Sequence, residues 1–235
     1  MTHDGVTAHD TDLMAAVTQL GGALRELIEV TVSTTVDPGE VRAAADLVRG
    51  VTERLAVSRR PASQLPALDD VGSGRRVFNP VSGVGNPLAP PLVLRQDDGG
   101  VVGEATLGVA YEGPPSYVHG GMSALLMDQV LGTAAAVAGL WGMTAHLELD
   151  YRAPLPVGKR LVLRGRVAEN DGRKSLIVGT IALAAAPDQA LVEARGLFVM
   201  PRKEKLAAYF GAITDASGEP RPPSRPGDAT AVEPA

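Results

Sequence analysis

The sequence contains no cysteine among its 235 residues. That absence excludes disulfides, thiolate metal ligands and a cysteine nucleophile. Aromatic residues make up only 3% of the chain, whereas hydrophobic residues make up 45%, so small and branched aliphatic side chains must build the core. The four histidines do not have the spacing of a metal-binding motif. We therefore expect neither a metal nor another cofactor.

A long, uninterrupted apolar run is also missing. The most apolar stretch, residues 120–143, is rich in alanine and glycine and carries Asp128. We interpret it as a core helix rather than a membrane span. The first twelve residues are polar and acidic and do not have the form of a secretory leader. We accordingly expect a soluble, cytoplasmic protein.

The net charge of −5 is unevenly distributed along the chain. Residues 1–150 have twice as many acidic as basic side chains, whereas basic side chains dominate residues 151–210. An acidic protein is a poor general binder of nucleic acid, and we expect no such partner. The basic part could bind a small polyanion such as a nucleotide, although a solvated face of strands and turns explains the same charges.

Helical periodicity predicts an N-terminal helical extension over residues 1–60. Apolar residues recur at helical spacing over 12–32. Asp37 has the features of an N-cap and is followed by proline and glutamate in the first turn. The second helix is predicted to begin there and to run to about Arg59, before a proline.

Residues 61–91 are rich in proline and glycine, which forbids long regular elements. The segment nevertheless contains several large apolar side chains, so we predict that it packs onto the rest of the protein and is not a free linker. These side chains are Phe78, Val81, Val84, Leu88 and Leu92.

Residues 92–205 are predicted to form the main domain, of the α+β class. The predicted strands cover 92–96, 101–111, 143–152, 160–169, 174–185 and 190–200, with a buried helix over 120–139 after the second strand. A single helix wrapped by one antiparallel sheet fits this order. Residues 211–235 are rich in proline, alanine and acid, and are predicted to be a disordered tail.

The most informative motif is His119-Gly120-Gly121, at the predicted start of the buried helix. Glycines at a helix start expose backbone N–H groups, which can bind a developing oxyanion. Asp128 follows in otherwise apolar sequence, where a carboxylate is costly unless it is paired or used in chemistry. The pattern favours Asp128 as a general base or nucleophile toward an ester or thioester carbonyl. A buried structural carboxylate and an ordinary helix entry are the alternatives.

His119 and Asp128 cannot easily share a site within one chain. Nine residues of helix place them about 13 Å apart along the axis and on opposite sides. A two-fold axis could bring the helix start of one subunit to Asp128 of the other. The spacing therefore predicts a homodimer with two composite sites.

The predicted strand that follows this helix alternates polar and apolar residues from Thr144 to Arg152. Strict alternation places Thr144 and His146 on the same face. Thr144, the residue nearest the helix, could hold the attacking water beside Asp128, and His146 is a rival base. Simple solvent exposure of this polar face is the alternative.

Gly172-Arg173-Lys174 follows a predicted tight turn. Two adjacent cations at a turn suit a phosphate group. A solvated pair of basic side chains is the alternative.

Residues 75–200 resemble the hotdog-fold acyl-CoA thioesterases, a group that includes phenylacetyl-CoA thioesterases and mammalian thioesterase superfamily members. The resemblance is carried by the run from Asn86 to Pro91, by Val118-His119-Gly120-Gly121, Asp128 and Met143-Thr144, by the run from Tyr151 to Pro156, and by Gly172-Arg173-Lys174. It implies a hotdog fold, in which a curved antiparallel sheet wraps a central helix. It also implies a homodimer, often paired again as a dimer of dimers.

The resemblance further implies hydrolysis of acyl-CoA, a reaction of lipid metabolism. Asp128 of one subunit would activate water or attack the thioester, with help from Thr144. His119 and the backbone N–H of Gly120 or Gly121 would polarise the carbonyl from the other subunit. Asn86, Arg173 and Lys174 would contribute to substrate binding, the two cations near the coenzyme A phosphates.

Three alternatives remain for the function. Hotdog hydratases and dehydratases resemble this fold, but they typically have a histidine in the run where this chain has Asn86-Pro87-Leu88. A non-catalytic acyl-CoA-binding module would not need Asp128. A scaffold that recruits partners through the N-terminal helices is the third alternative.

Overall fold

The computed structural model describes residues 8–70, 74–90 and 92–220. Four α-helices are present in these ranges: α1 (Ala8–Ser33), α2 (Pro38–Ala56), α3 (Gly120–Val137) and α4 (Lys203–Phe210). Six strands accompany them: β1 (Val93–Asp97), β2 (Gly100–Thr106), β3 (Met143–Tyr151), β4 (Arg160–Asn170), β5 (Lys174–Leu183) and β6 (Ala190–Val199). None of the helices in the described ranges is both long and apolar enough to cross a bilayer.

The six strands form one antiparallel sheet in the order β1-β2-β4-β5-β6-β3. Helix α3 packs against the inner face of this sheet, and the core lies between the helix and the strands. Its fully buried side chains are Leu126, Met127, Val130 and Leu131. The predicted α+β class and the single wrapped helix are confirmed. Strand β3 lies at one edge, so it has a hydrogen-bonded neighbour on one side only.

Two glycines allow the sheet to approach α3 closely. A Cβ atom at Gly179 would lie 2.6 Å from the side chain of Met127, and one at Gly165 would lie 2.9 Å from Val130. Such distances are too short for carbon atoms in contact, so any larger residue would push the sheet away from the helix.

The second N-terminal helix begins where the sequence predicts it. The Asp37 carboxylate accepts hydrogen bonds from the backbone N–H groups of Gly39 at 2.7 Å and Glu40 at 3.3 Å. This arrangement is an N-cap. The helix ends at Ala56, three residues before the predicted end at Arg59.

Helix α1 is attached to the segments that precede α3. The Glu29 carboxylate accepts hydrogen bonds from the backbone N–H groups of Val109 at 2.8 Å and Ala110 at 3.0 Å, within a short 3-10 helix. The Arg25 guanidinium donates to the carbonyl oxygens of Val84 and Asn86. These charge-assisted hydrogen bonds link the N-terminal helix to the 3-10 helix that precedes the His-Gly-Gly motif and to the loop over residues 84–86.

The segment before β1 packs down only in part as predicted. Val81 and Leu92 are buried and Phe78 is half-buried, but Val84 is 46% exposed and Leu88 is 69% exposed. Successive tight turns direct the last two side chains outward, so the prediction that they pack inward is wrong for the single chain. Val77, which is not among the predicted side chains, is buried instead.

Residues 211–220 differ from the predicted disorder. The backbone of Thr214 accepts a hydrogen bond from Leu65 at 3.0 Å and donates one to Ser63 at 3.1 Å. The side chain of Gln64 also donates to the carbonyl of Ala216. Proline and acidic residues are compatible with this docked turn because its backbone groups find partners in the 61–70 segment. The rest of the predicted tail, 221–235, lies outside the described residues.

Candidate active site

The start of α3 presents one free backbone donor. His119 is the N-cap, and its Nδ1 accepts a hydrogen bond from the Gly121 N–H at 3.0 Å. The Met122 N–H donates to the carbonyl of His119 at 2.9 Å. In the part of the chain that the structure describes, no group accepts a hydrogen bond from the Gly120 N–H. The Gly120 N–H is therefore available to an external acceptor at the positive end of the helix.

The turn that leads into α3 is held from two directions. The His119 N–H donates to the carbonyl of Tyr111, and the Val118 N–H donates to the carbonyl of Leu155. Gly113 lies directly beneath, where a Cβ atom would be 2.8 Å from the Cα of His119. Burial raises the pKa of the Tyr111 hydroxyl above its ordinary value. The His119 backbone therefore has little freedom to move.

Tyr151, the last residue of β3, fixes the same helix start from the sheet. Its hydroxyl donates to the carbonyl oxygen of Gly120 at 2.9 Å. A Cβ atom at Gly120 would lie at an ordinary contact distance of 3.5–3.6 Å from the Tyr151 ring. Gly120 is thus oriented by its carbonyl while its N–H points elsewhere.

Asp128 is half-buried on α3 and is bonded to Thr144. The Thr144 hydroxyl donates to Asp128 Oδ1 at 2.8 Å. A threonine hydroxyl offers one proton, so this bond orients one carboxylate oxygen and leaves the acceptor capacity of the other for a ligand or water. The structure therefore brings together the two residues that the sequence analysis paired.

A β-bulge directs Thr144 toward Asp128. In the pairing of β3 with β6, Thr144 lies opposite Phe198 and His146 lies opposite Leu197, so Ala145 is an extra residue. A bulge reverses the alternation of side chains between the two faces of a strand. Thr144 consequently faces the helix, as does the buried side chain of Phe198. His146 lies on the other face.

The prediction that Thr144 and His146 share a face is therefore wrong, because strict alternation does not continue through the bulge. The face that carries His146 is the outer surface of the sheet, where Glu148 and Asp150 line an open cavity of about 490 Å³. Asp128 does not line this cavity. The structure separates His146 from the candidate carboxylate.

The two halves of the candidate site are contacted by opposite ends of β3. Thr144, near its first residue, contacts Asp128, and Tyr151, its last residue, contacts Gly120. Eight residues of helix separate Gly120 from Asp128, which corresponds to about 12 Å along the axis. A thioester carbonyl cannot be in contact with both groups of the same chain.

A basic cavity lies beside the Gly172-Arg173 turn. Gly172 adopts φ +87°, and the Asp171 carboxylate accepts hydrogen bonds from the backbone N–H groups of Arg173 and Lys174. The cavity has a volume of about 430 Å³ and is lined by Gly172, Arg173, Met200, Pro201, Arg202, Lys203 and Glu204. Lys174 is exposed nearby but does not line it.

Asn86 is engaged within its own loop. Its side-chain N–H donates to the carbonyl of Phe78 at 3.0 Å, and its Oδ1 accepts from the Leu88 N–H at 3.0 Å. A neighbouring amide, Asn79, donates to Gln129 of α3 at 3.0 Å. Asn86 therefore helps to hold the loop that contacts α3 at Gln129, the next residue after Asp128 in the sequence.

Sequence reasoning missed three residues of this region: Tyr151, Arg202 and Lys203. In the alternating pattern from Thr144 to Arg152, Tyr151 falls among the apolar residues, and nothing in this pattern indicates a hydrogen bond to the helix start. The excess of cations over residues 151–210 was the available signal for Arg202 and Lys203. That signal did not connect them to Arg173, because the proximity depends on where α4 begins.

Comparison with known proteins identifies the family. The family model of the Thioesterase superfamily matches residues 116–181, which include the start of α3, Asp128 and Thr144. A solved structure described as a thioesterase superfamily protein is 37% identical; the match covers 78% of this chain and 94% of that one, with a TM-score of 0.69. The fold is the predicted hotdog fold. The chain belongs to the thioesterase superfamily.

Curated relatives are similar over a shorter region. Acyl-coenzyme A thioesterase THEM4 from Xenopus laevis is 34% identical over 90 residues, which is 37% of this chain and 39% of that protein. The mouse (Mus musculus) protein of the same name is 33% identical over 99 residues, 42% of each chain. The chain thus spans about two fifths of the length of the curated relatives it matches.

Proposed function

We propose that this protein hydrolyses acyl-CoA thioesters to a free acid and coenzyme A, without a metal, at two composite sites of a homodimer. The observation that carries the proposal is the half-buried Asp128 held by Thr144, together with an unpartnered Gly120 N–H on the same helix. The names of the curated relatives support acyl-CoA as the substrate. We expect the protein to act in the cytoplasm, in lipid metabolism.

Asp128 would act as the general base or as the nucleophile. As a base, it takes a proton from water while the water oxygen bonds to the thioester carbonyl carbon; the C–S bond then breaks and the thiolate of coenzyme A leaves, to be protonated. As a nucleophile, the carboxylate displaces the thiolate to form an anhydride, which water hydrolyses. Thr144 orients the carboxylate in either route.

The helix start of the partner subunit would stabilise the oxyanion. The Gly120 N–H is the donor, since the Gly121 N–H is bonded to His119. His119 Nδ1 acts as an acceptor, so the neutral ring carries its proton on Nε2. That Nε2–H would provide a second donor to the carbonyl oxygen, and Gly121 would serve to orient the ring.

The edge of β3 and the exposed side of α3 would form the dimer interface. An unpaired sheet edge is a template for pairing with another chain. Apolar side chains of these two elements remain exposed in the single chain, among them Leu125 on α3, and Met143 and Tyr151 on β3. Their burial by a second copy would remove them from water and would bring the α3 helix of each subunit close to that of the other.

The coenzyme A phosphates would bind at the basic cavity. Lys174 pairs with Val199, which in turn pairs with Met143, the residue before Thr144. Two strand spacings, about 10 Å, therefore separate the basic turn from the Asp128–Thr144 pair. Arg173, Arg202 and Lys203 would contact phosphate, with Lys174 at the rim. Asn86 would contribute indirectly, by holding its loop beside α3.

A turnover assay with thiol detection tests the proposal. We expect purified protein to release coenzyme A from members of a panel of acyl-CoA substrates. Asp128→Asn should reduce kcat by roughly 10²- to 10⁴-fold, the typical contribution of a general base. Asp150→Asn is the matched control: this aspartate lies on the outer face of the sheet, away from Asp128, so the variant should retain activity.

Full activity of Asp128→Asn with unchanged oligomeric state would end the assignment of Asp128. Binding of acyl-CoA without turnover by the wild-type protein would instead support the non-catalytic binding module. Size-exclusion chromatography of both variants shows whether the substitution has changed the assembly.

A further inference from the structure

Helix α2 exposes apolar side chains that the rest of the described chain does not cover. None of its residues is buried, and it packs extensively against no other helix or strand within residues 8–70, 74–90 and 92–220. Leu47 is 75% exposed and Leu55 is 54% exposed. In proteins most of the stability of a helix comes from packing of its amphipathic face, so an apolar side that the described chain leaves open suits a partner.

The apolar side chains of α2 follow a heptad repeat. They recur at alternating spacings of three and four residues, at Val41, Ala44, Val48, Val51 and Leu55. This spacing is that of the a and d positions of a coiled coil. The opposite face, with Asp46 and Glu53, is charged. The repeat therefore predicts that another helix pairs with α2 along its narrow apolar face, which is the seam of the coiled coil.

The charges beside the seam are self-complementary. Glu40, Leu47 and Arg54 are spaced seven residues apart and flank the same edge of the apolar face. In the described part of the chain, neither the Glu40 carboxylate nor the Arg54 guanidinium forms an ion pair. Two antiparallel copies of α2, related by a two-fold axis at Leu47, would place Glu40 of each copy opposite Arg54 of the partner subunit.

We propose that α2 pairs antiparallel with the α2 helix of a second copy of this chain, with Leu47 at the two-fold axis and Glu40 paired with Arg54 of the partner subunit. The core layers, offset by two residues from these flanking pairs, would then pack Val41 against Val51 of the partner subunit and Ala44 against Val48 of the partner subunit. A parallel pair would place Glu40 opposite Ala45 of the partner subunit, where no charge compensates it. The proposal does not depend on the hydrolase activity.

Cross-linking of single-cysteine variants tests the two-fold axis. The natural chain has no cysteine, so Leu47→Cys introduces the only thiol. We expect a short bismaleimide to convert most of this variant to a covalent dimer in dilute solution. Glu53→Cys, at an exposed position opposite the apolar seam, is the control and should cross-link roughly tenfold less, because the paired helices separate its two copies. Equal yields from the two variants would overturn the proposal.

Charge reversal in the Leu47→Cys background tests the register. Glu40→Arg alone should lower the cross-linking yield by roughly fivefold at low salt, because it replaces two attractions with two repulsions. The double variant Glu40→Arg/Arg54→Glu should restore the yield, although it places both charges unfavourably for the helix dipole. Failure of the double variant to exceed the single one would exclude this pairing.

Discussion

Thr144 reaches Asp128 because Ala145 is an extra residue in the pairing of β3 with β6. Without that bulge the threonine would face the outer surface of the sheet, together with His146. A single inserted residue thus decides which polar side chain of the strand contacts the candidate carboxylate. Bulges beside active sites commonly redirect a side chain in this way.

Removal of the Thr144 hydroxyl should reduce turnover without unfolding the protein. Thr144→Val keeps the shape of the side chain but cannot donate to Asp128, and a hydrogen bond to a charged group contributes about 1.5–3 kcal/mol. We expect kcat to fall roughly tenfold or more. Thr144→Ser, which retains the hydroxyl, should keep most of the activity, and thermal unfolding should be similar for both variants. Equal loss in the two variants would contradict the role of the hydroxyl.

The free Gly120 N–H can be removed without disturbing the helix. Gly120 is the first helical residue, where proline is favoured, and His119 before it has φ −61° and ψ 132°, which a following proline permits. We expect Gly120→Pro to lower kcat by roughly 10²- to 10³-fold, the effect of losing one oxyanion donor. Gly120→Ala keeps the N–H and meets only ordinary contacts with Tyr151, so it should remain active. We expect the kcat values of the two variants to differ only if turnover requires the Gly120 N–H.

At the scale of elements, β3 connects the two halves of the candidate site. Its second residue, Thr144, donates a hydrogen bond to Asp128, and its last residue, Tyr151, donates one to Gly120 at the helix start. Helix α4 then adds cations to the turn between β4 and β5, because the chain leaves β6 next to that turn: the Met200 N–H donates to the carbonyl of Arg173 at 2.9 Å.

The cations at the start of α4 should affect the binding of a substrate only through the nucleotide part of that substrate. Arg202→Ala and Lys203→Ala should each raise KM for an acyl-CoA several-fold and leave kcat almost unchanged. The reason is that the removed contacts stabilise the bound substrate and the transition state equally. A truncated thioester that lacks the nucleotide should be hydrolysed equally by wild type and variants. Lys205→Ala, one turn further and outside the cavity, is the control. An equal effect on the truncated thioester would exclude phosphate binding at this cavity.

At the scale of the whole molecule, the proposed site combines Asp128 of one subunit with Gly120 of the other, because the two residues lie about 12 Å apart along one helix. Inactive subunits should therefore complement each other. A mixed dimer of Asp128→Asn and Gly120→Pro subunits contains one site with both functional groups intact and one site with neither. Random exchange of equal amounts should restore about a quarter of the wild-type activity, since half of the dimers are mixed and each has one working site. A site confined to one chain would give no recovery.

The positions of the elements followed from local patterns. The N-cap at Asp37, the helix after His119-Gly120-Gly121 and the strands over 143–199 lie where periodicity and turn residues predict them. These signals are local because each element must bury one face, and the spacing of its apolar residues records which face that is. Helix geometry alone also predicts that His119 and Asp128, nine residues apart, lie on opposite sides of the helix.

Only the tertiary structure decided which side chains meet. A bulge depends on how β3 pairs with β6, so no reading of β3 alone could separate Thr144 from His146. The contact of Tyr151 with Gly120 and the approach of Arg202 to Arg173 join residues far apart in the chain. The sequence by itself determined the fold class, the elements and the candidate acid at position 128. Packing decided the neighbours of that acid, because the register and direction of each side chain depend on elements that are remote in sequence.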